Sequence, residues 1–441
     1  MKLNKLLLAL AATGIATPAF ATNGMNLEGY GPIAAGMGGA SMAYDNGSAA
    51  VMNNPATLGL MAKGSQVDVA VGMLGPELTS NFTHPQAGLL SAPSSGTAYY
   101  MPAAGYIKND GDKAYGVAMF AQGGMGTEYA GSTFMSAGSG LPTRSELGVG
   151  RLIFPLSVNV NDKLTVGGSA DLVWAMLDLQ MAATGAQLAA LATGGTGNLW
   201  GALPNLAGAP WVYVNFSDTN DFTGKAKGSG WAGKLGFTYK ASPTLTVGGA
   251  YHSKTALGDL ETSASGASLS ASTGFADSGK VTIRDFEWPE TYGLGLAYQV
   301  NDRLMLALDY KRINWADVMQ SFKMTYSSGG VGGSVDIAMP QNWENQNVFQ
   351  LGAAYKATDT LTLRVGTNQS KNPIPDTFVN ALFPAIMKNH YNAGFGYKMA
   401  NNGEVNFAYI YAPKVTAGPS ASGVSSTMSG SSWQIAYSKR F

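Results

Sequence analysis

The residues able to do chemistry are few and lie far apart. The chain has three histidines, His84, His252 and His390, and no cysteine. His84 stands beside Pro85 in a Gly/Ser-rich connection, whereas His252 and His390 take inward positions of separate strand patterns with no serine motif beside either. A Ser–His or Asp–His pair is assembled only in space, so a barrel lipid hydrolase stays an alternative to a lining role for these imidazoles. Without cysteine there is neither thiol chemistry nor a disulfide, and no Cys/His cluster has metal-ligand spacing. Asp218 and Asp221 read as a solvated loop rather than a calcium site. Gly36-Met37-Gly38-Gly39 lacks the βαβ setting of a phosphate loop. No catalytic residue, metal or cofactor is expected, and the chain reads as a non-enzyme. The remaining chemical resource is four cations at alternating positions, Arg151, Lys234, Lys311 and Arg364. Each could hold a carboxylate whose alkyl chain lies in an apolar slot, or could pair with Asp68, Asp171 or Asp309.

Those cations are positioned by strands with a period of two. In the last segment Trp433, Ile435, Tyr437 and Phe441 share one face, and Ser432, Gln434, Ala436, Ser438 and Arg440 the other. The same sorting puts Leu304, Leu306, Leu308 and Tyr310, then Phe349, Leu351, Ala353 and Tyr355, on outward faces. Thr362, Arg364, Gln350, Gly352 and Asn406 fall inward. An aromatic, apolar outer face and a small or polar inner face describe a β-barrel in a membrane. A Lys or Arg facing mid-bilayer lipid costs roughly 2–4 kcal/mol, which is why Arg151, Asp171, Lys234, Asp309, Lys311 and Arg364 belong on the inside. Charged residues make up 12% of the chain and hydrophobic residues 45%, with no net charge. That balance suits lipid exposure and gives no reason to expect a nucleic-acid partner.

Tight polar turns recur at Asn161-Asp162, Ser242-Pro243, Asn301-Asp302 and Thr358-Asp359, with looser copies at Asn109 to Asp112 and Asn401 to Gly403. Between them lie long connections near residues 75–97, 123–144, 181–227, 263–284, 327–346, 371–388 and 413–430. About six short turns alternating with seven long loops predict an all-β fold of about fourteen antiparallel strands. Short turns face the periplasm and long loops the exterior. The last strand is expected to close against the first, near Gln66 to Leu74.

The N-terminal region precedes this pattern. Lys2, Lys5, the apolar run Leu6 to Ala16 and Ala19-Phe20-Ala21 form a signal-peptide pattern, so residues 1–21 are expected to be removed. Residues 22–62 are rich in Gly and small apolar residues without strand periodicity and are expected to plug the lumen as a hatch; residues 63–441 form the barrel.

Thr22-Asn23-Gly24, the Gly-Met-Gly-Gly-Ala run at 36–40 and Asn54-Pro55-Ala56 resemble the mature N-terminus of the FadL/TodX family of outer-membrane transporters of long-chain fatty acids and other hydrophobic compounds. The resemblance extends in layout over the whole chain. It implies a hatch whose Asn54, Pro55 and Ala56 lie beside the third strand, Tyr115 to Gln122, near a kink that opens the wall sideways. Gly116 could supply that kink, while Gly123-Gly124 read as the start of a loop.

Two apolar stretches stand in the long connections. One holds Leu188, Leu191, Trp200, Leu203 and Trp211, the other Phe378 and Phe383. Exposed, they would form a capture groove; packed together, they would cap the barrel. The function expected is passive uptake of hydrophobic compounds, long-chain fatty acids first and aromatic hydrocarbons as the alternative. Loop-mediated adhesion and an aqueous porin are the rivals. The expected setting is the outer membrane of a Gram-negative cell, as a monomer among lipopolysaccharide inserted by the barrel-assembly machinery.

Overall fold

The computed structural model describes residues 22–441, and the expected signal peptide at 1–21 lies outside the described residues. In chain order the strands are β1 (Thr22–Asn23), β2 (Asn26–Leu27), β3 (Gly64–His84), β4 (Gly88–Pro93), β5 (Tyr99–Asn109), β6 (Lys113–Tyr129), β7 (Thr143–Asn159) and β8 (Leu164–Ala183). They continue as β9 (Ala192–Thr196), β10 (Val212–Phe216), β11 (Ala226–Lys240), β12 (Leu245–His252), β13 (Ala256–Leu257), β14 (Leu260–Glu261), β15 (Ala267–Ala271) and β16 (Ala276–Arg284). The remainder are β17 (Thr291–Asn301), β18 (Leu304–Ile313), β19 (Ser321–Ser328), β20 (Ser334–Pro340), β21 (Gln346–Lys356), β22 (Leu361–Ser370), β23 (Asn389–Lys398), β24 (Gly403–Ala417) and β25 (Val424–Arg440).

The wall is a closed antiparallel circuit. It runs from β3 through β5, β6, β7, β8, β11, β12, β17, β18, β21, β22, β23 and β24 to β25. β25 returns to β3 with Arg440 opposite Gln66 and Val424 opposite Phe82. Closure leaves no edge, as a wall in lipid requires. The expectation of fourteen strands joined by irregular loops is corrected: the described residues form one sheet of 25 strands. β3 has 21 residues and β8 has 20, about twice what a tilted strand needs to cross the bilayer. Beyond the membrane these strands no longer face lipid, so they lose their apolar alternation and read as Gly/Ser/Ala-rich loops. There β10 pairs with both β8 and β15, β16 with β19, and β20 with β9.

Leu308, Tyr310, Phe349, Leu351 and Val365 are exposed on the outer face, whereas Gln350, Arg364, Asn392 and Asn406 are buried inside. Residues 22–62 lie within this circuit and are almost entirely buried. They form little regular structure: α1 (Pro32–Gly36), α2 (Ala50–Asn53) and two 3-10 turns, Gly47–Ala49 and Pro55–Leu60. Their peptide groups are satisfied by side chains of the wall. Asp309 accepts from the Ser41 and Met42 amides at 2.6 and 3.1 Å, and Asp68 from the Ser48 amide at 2.8 Å. Gln350, Asn392 and Gln434 donate to the carbonyls of Glu28, Ala35 and Gly29. Gly38 and Gly39 carry positive φ, and a Cβ there would overlap the Thr367 backbone and the Glu28 carbonyl. That close approach explains the Gly-Met-Gly-Gly run.

Glu28 is the exception to this satisfaction. It is buried, and neither carboxylate oxygen has a hydrogen-bond partner among the described residues. Burial pushes its carboxyl up to about 8, against the opposing pull of the Lys311 charge.

Two outcomes follow. D309A leaves two buried amides without an acceptor, at about 1–3 kcal/mol each, so exchange of the Ser41 and Met42 amides should accelerate at least tenfold while the wall keeps its heat-modifiable mobility. Glu28 binds its proton more tightly folded than unfolded, so packing of residues 22–62 is most stable at low pH. It weakens as pH rises from the ordinary carboxylate range through about 8. Amide exchange of this segment, corrected for intrinsic rates, should show that slope, and E28Q should flatten it.

Candidate functional site

Two neighbouring wall strands, β5 and β6, part well before their ends. β5 and β6 pair from Asn109–Ala114 as far as Ala103–Phe120, and the ladder then stops, although β5 continues to Tyr99 and β6 to Tyr129. Pro102 comes next on β5 and has no N–H to extend the ladder. On the other side, the β6–β7 register shifts between Ala121 and Gly123, leaving Gln122 as a bulge. Gly123-Gly124 therefore sit inside β6 rather than opening a loop. Gly116 keeps its pairing with Ile107.

The N-terminal segment occupies the vacated side of β6. Asn26 of β2 pairs with Gly123, and the Gly124 amide donates to the Met25 carbonyl at 3.3 Å. A Cβ at Gly123 would overlap that carbonyl, so only glycine lets the two backbones meet. The bulge is fixed from three directions. Tyr30 Oη donates to the Gln122 carbonyl at 2.7 Å, Arg151 Nε to Gln122 Oε1 at 2.5 Å, and Trp288 Nε1 to Asn26 Oδ1 at 2.6 Å. Trp288 stacks edge-on with Trp315, and Trp315 with Trp343, at 5.7 and 5.1 Å.

Cavities lie on both sides of the parting. The inner one, about 130 Å³, is lined by Leu74, Tyr99, Met101, Met125, Leu147 and Met428, with Thr22 and Gly24 behind them. The outer one, about 310 Å³, is lined by Pro102, Met119, Phe120, Trp174, Met176 and Phe222. Tyr100, Ala121, Glu146, Gly148, Val149 and Asp221 line both, so the two cavities adjoin.

The four cations occupy different places. Arg151 Nη1 meets Asp171 at 2.8 Å, and Lys234 shares the same Asp171 oxygen. Lys311 donates to the Gly39 carbonyl at 3.4 Å, and Arg364 Nη1 to Asn406 Oδ1 at 2.9 Å. Arg151, Lys234 and Lys311 converge on a small lumen cavity of about 40 Å³ that also contains His252; Arg364 lies elsewhere. The turn that begins at Pro55 touches β6, but the hydrogen bonds that Asn54 and Ala56 make to the wall go to other strands. Asn54 Nδ2 donates to the Phe237 carbonyl at 3.0 Å, Ser157 Oγ donates to the Ala56 carbonyl at 3.2 Å, and Gly167 faces the Pro55–Ala56 peptide. The motif thus packs on β7, β8 and β11, where small residues leave room. Asn54 also caps the following turn through the Ala56 amide.

His252 Nε2 lies 2.9 Å from the Asn53 carbonyl, and His390 Nε2 accepts from the Thr22 amide at 3.1 Å. Both imidazoles hold the N-terminal segment, and among the described residues neither is hydrogen-bonded to a serine. The apolar loop residues are not an open groove. Leu188, Leu203 and Phe383 are buried, Leu191, Trp211 and Phe378 are half-buried, and Trp200 is 39% exposed. The first set packs α3 (Gly185–Leu191) against α4 (Gly197–Ala207). The second folds inward, where Tyr129 Oη donates to the Ala381 carbonyl at 2.8 Å and Phe383 meets Phe322 at 5.6 Å. Burying these side chains against each other removes more apolar surface from water than an exposed groove would. Sequence reasoning missed Tyr99, Pro102, Gln122 and the Trp288 cluster. Pro102 was the readable signal, because proline inside a strand marks an unpaired edge.

Residues 8–439 match the family described as "Outer membrane protein transport protein (OMPP1/FadL/TodX)". The crystal structure of the P. putida toluene transporter TodX is similar with a TM-score of 0.83 and 31% identity, covering 94% of this chain and 99% of that one. The Ralstonia pickettii toluene transporter TbuX is similar with a TM-score of 0.77, 31% identity and the same two shares, 94% and 99%. A Chlorobium limicola protein, described as an uncharacterized protein in the phosphoenolpyruvate carboxykinase gene 5' region, is 58% identical over 65 residues, 14% of this chain and 32% of that protein. The chain spans about a third of that relative's length. The match over nearly the whole length shows that this chain belongs to the OMPP1/FadL/TodX family and is an outer-membrane transporter of hydrophobic compounds.

Proposed function

We propose that the compounds carried are small aromatic hydrocarbons, and that they leave the lumen sideways between β5 and β6 into the bilayer. The observation that carries this is the pair of cavities flanking the parted strands, lined mainly by apolar side chains with Glu146 and Asp221 at their common border. The inner cavity, about 130 Å³, is close to the ~150 Å³ of an engineered apolar cavity that binds benzene. It suits one ring better than an extended acyl chain. The TodX and TbuX structures, named as toluene transporters, support the same class. Movement needs no energy source: an apolar solute passes from an apolar cavity to lipid down its own gradient. In this reading residues 22–62 are the hatch, which must release Gly123 before a solute can pass from the inner mouth to the outer one. Asn54-Pro55-Ala56 anchor it on the far wall, and the buried loop residues form a cover.

A second reading, long-chain fatty acids, is favoured by one observation. Arg151, Lys234 and Lys311 surround a lumen cavity for which Asp171 is the shared acid of the first two, so a carboxylate would be welcome there.

Gly148 lines both mouths, and nothing stands within 4 Å of where its Cβ would be. G148F should fill the passage without displacing the fold and reduce uptake of labelled toluene into expressing cells at least tenfold. G201F, also in open space but on α4, should leave uptake unchanged. Equal uptake by G148F would remove the sideways route. K311Q separates the ligand classes: it should leave toluene uptake as it is, and a selective fall in oleate uptake would establish the second reading instead.

A further inference from the structure

A further cavity lies away from the parted strands. It opens at the periplasmic end, about 370 Å³ in volume, and shares no lining residue with the two cavities there. Three successive short turns form its rim, placing Arg303 beside β18, Lys356 at the end of β21 and Lys398 at the end of β23. Arg364 stands deeper and Arg440 is exposed beside the rim, so five cations face two carboxylates, Asp45 and Glu404. Among the described residues no ion pair engages Arg303, Lys356, Lys398 or Arg364; Arg440 alone meets Asp45, at 3.7 Å.

Arg364 is buried, yet among the described residues its guanidinium makes a single hydrogen bond, from Nη1 to Asn406 Oδ1 at 2.9 Å, and it lies over Gly396. A guanidinium has five N–H donors in a planar fork, so most of its capacity remains for a planar acceptor. The lining also holds one apolar patch, Ile33 and Tyr44 from the N-terminal segment with Met305 and Ala354 from the wall, beside polar Gln66, Gln299, Thr362 and Ser438. A cationic rim, a buried guanidinium and an apolar floor together select a ligand with one carboxylate on an apolar body.

We infer that this vestibule is a second binding site, for an amphipathic carboxylate arriving from the periplasm. The ligand sets its carboxylate on Arg364 and the rim and its apolar part on Ile33 and Tyr44. It competes with Asp45 for Arg440, which ties occupancy to the position of the N-terminal segment.

The test uses the full-length protein in zwitterionic nanodiscs and fluorine NMR titration with 4-(trifluoromethyl)benzoate, beside its neutral analogue 4-(trifluoromethyl)toluene. R303Q/K356Q/K398Q changes three exposed rim residues and should weaken benzoate binding at least tenfold, with the neutral probe unaffected. D45N should tighten benzoate binding, and rising salt should weaken it. Wild-type affinity in the triple variant, or loss of benzoate binding in G148F, would overturn the site. Loss of neutral-probe binding in G148F bears only on the sideways passage, so the two readings fail separately.

Discussion

The structure depends on how buried peptide groups are satisfied inside a closed wall. Residues 22–62 have short helical turns and a two-residue hairpin, so most of their amides and carbonyls have no partner of their own. Water cannot serve them in a packed lumen, and an unmade buried hydrogen bond costs about 1–3 kcal/mol. The inward positions of the strands supply the missing groups: Asp309, Asp68, Gln350, Asn392, Gln434 and Asn109 each bind backbone of the N-terminal segment. The polar inner face is thus a fitted partner for one irregular backbone. This also explains why Gly38 and Gly39 are glycines: the segment touches the wall through its main chain.

The parting of β5 and β6 is the same principle applied to the wall. Two strands that stop pairing expose a row of N–H and C=O groups, which lipid cannot satisfy. β6 solves this with a bulge at Gln122 and with a borrowed partner, since Asn26 and Met25 take up Gly123 and Gly124. A wall opening and the N-terminal segment are therefore coupled by hydrogen bonds. In the proposed route, displacing the segment would change the opening, and the cavities on both sides would hold a hydrophobic solute.

Much of this was legible in the sequence. Period-two alternation sorted Leu308 and Phe349 outward and Asp309 and Gln350 inward, because lipid enforces that sorting along each strand that crosses it. The seam between the C-terminal strand and Gln66 to Leu74 was legible for the same reason. The strand count was not, because β10, β15, β16, β19 and β20 lie beyond the lipid, where nothing enforces alternation. Asn54-Pro55-Ala56 was recognisable as a motif, but its neighbours on β7, β8 and β11 are more than a hundred residues away in sequence. The apolar loops revealed their composition and concealed their packing: Leu203 and Phe383 look alike whether they cover a groove or fill one. The passage itself was half written in Pro102 and Gly123-Gly124, which mark a weak ladder without saying which two strands part.

In the proposed route a hydrophobic solute sits at the parted strands, on its way through the wall. Crystals grown with 4-bromotoluene and measured at the bromine edge test this directly. Anomalous density is expected within the cavity of Tyr99, Met125 and Leu147, at the break in the β5–β6 ladder. Density confined to the axis of the lumen, with none at that break, would contradict it.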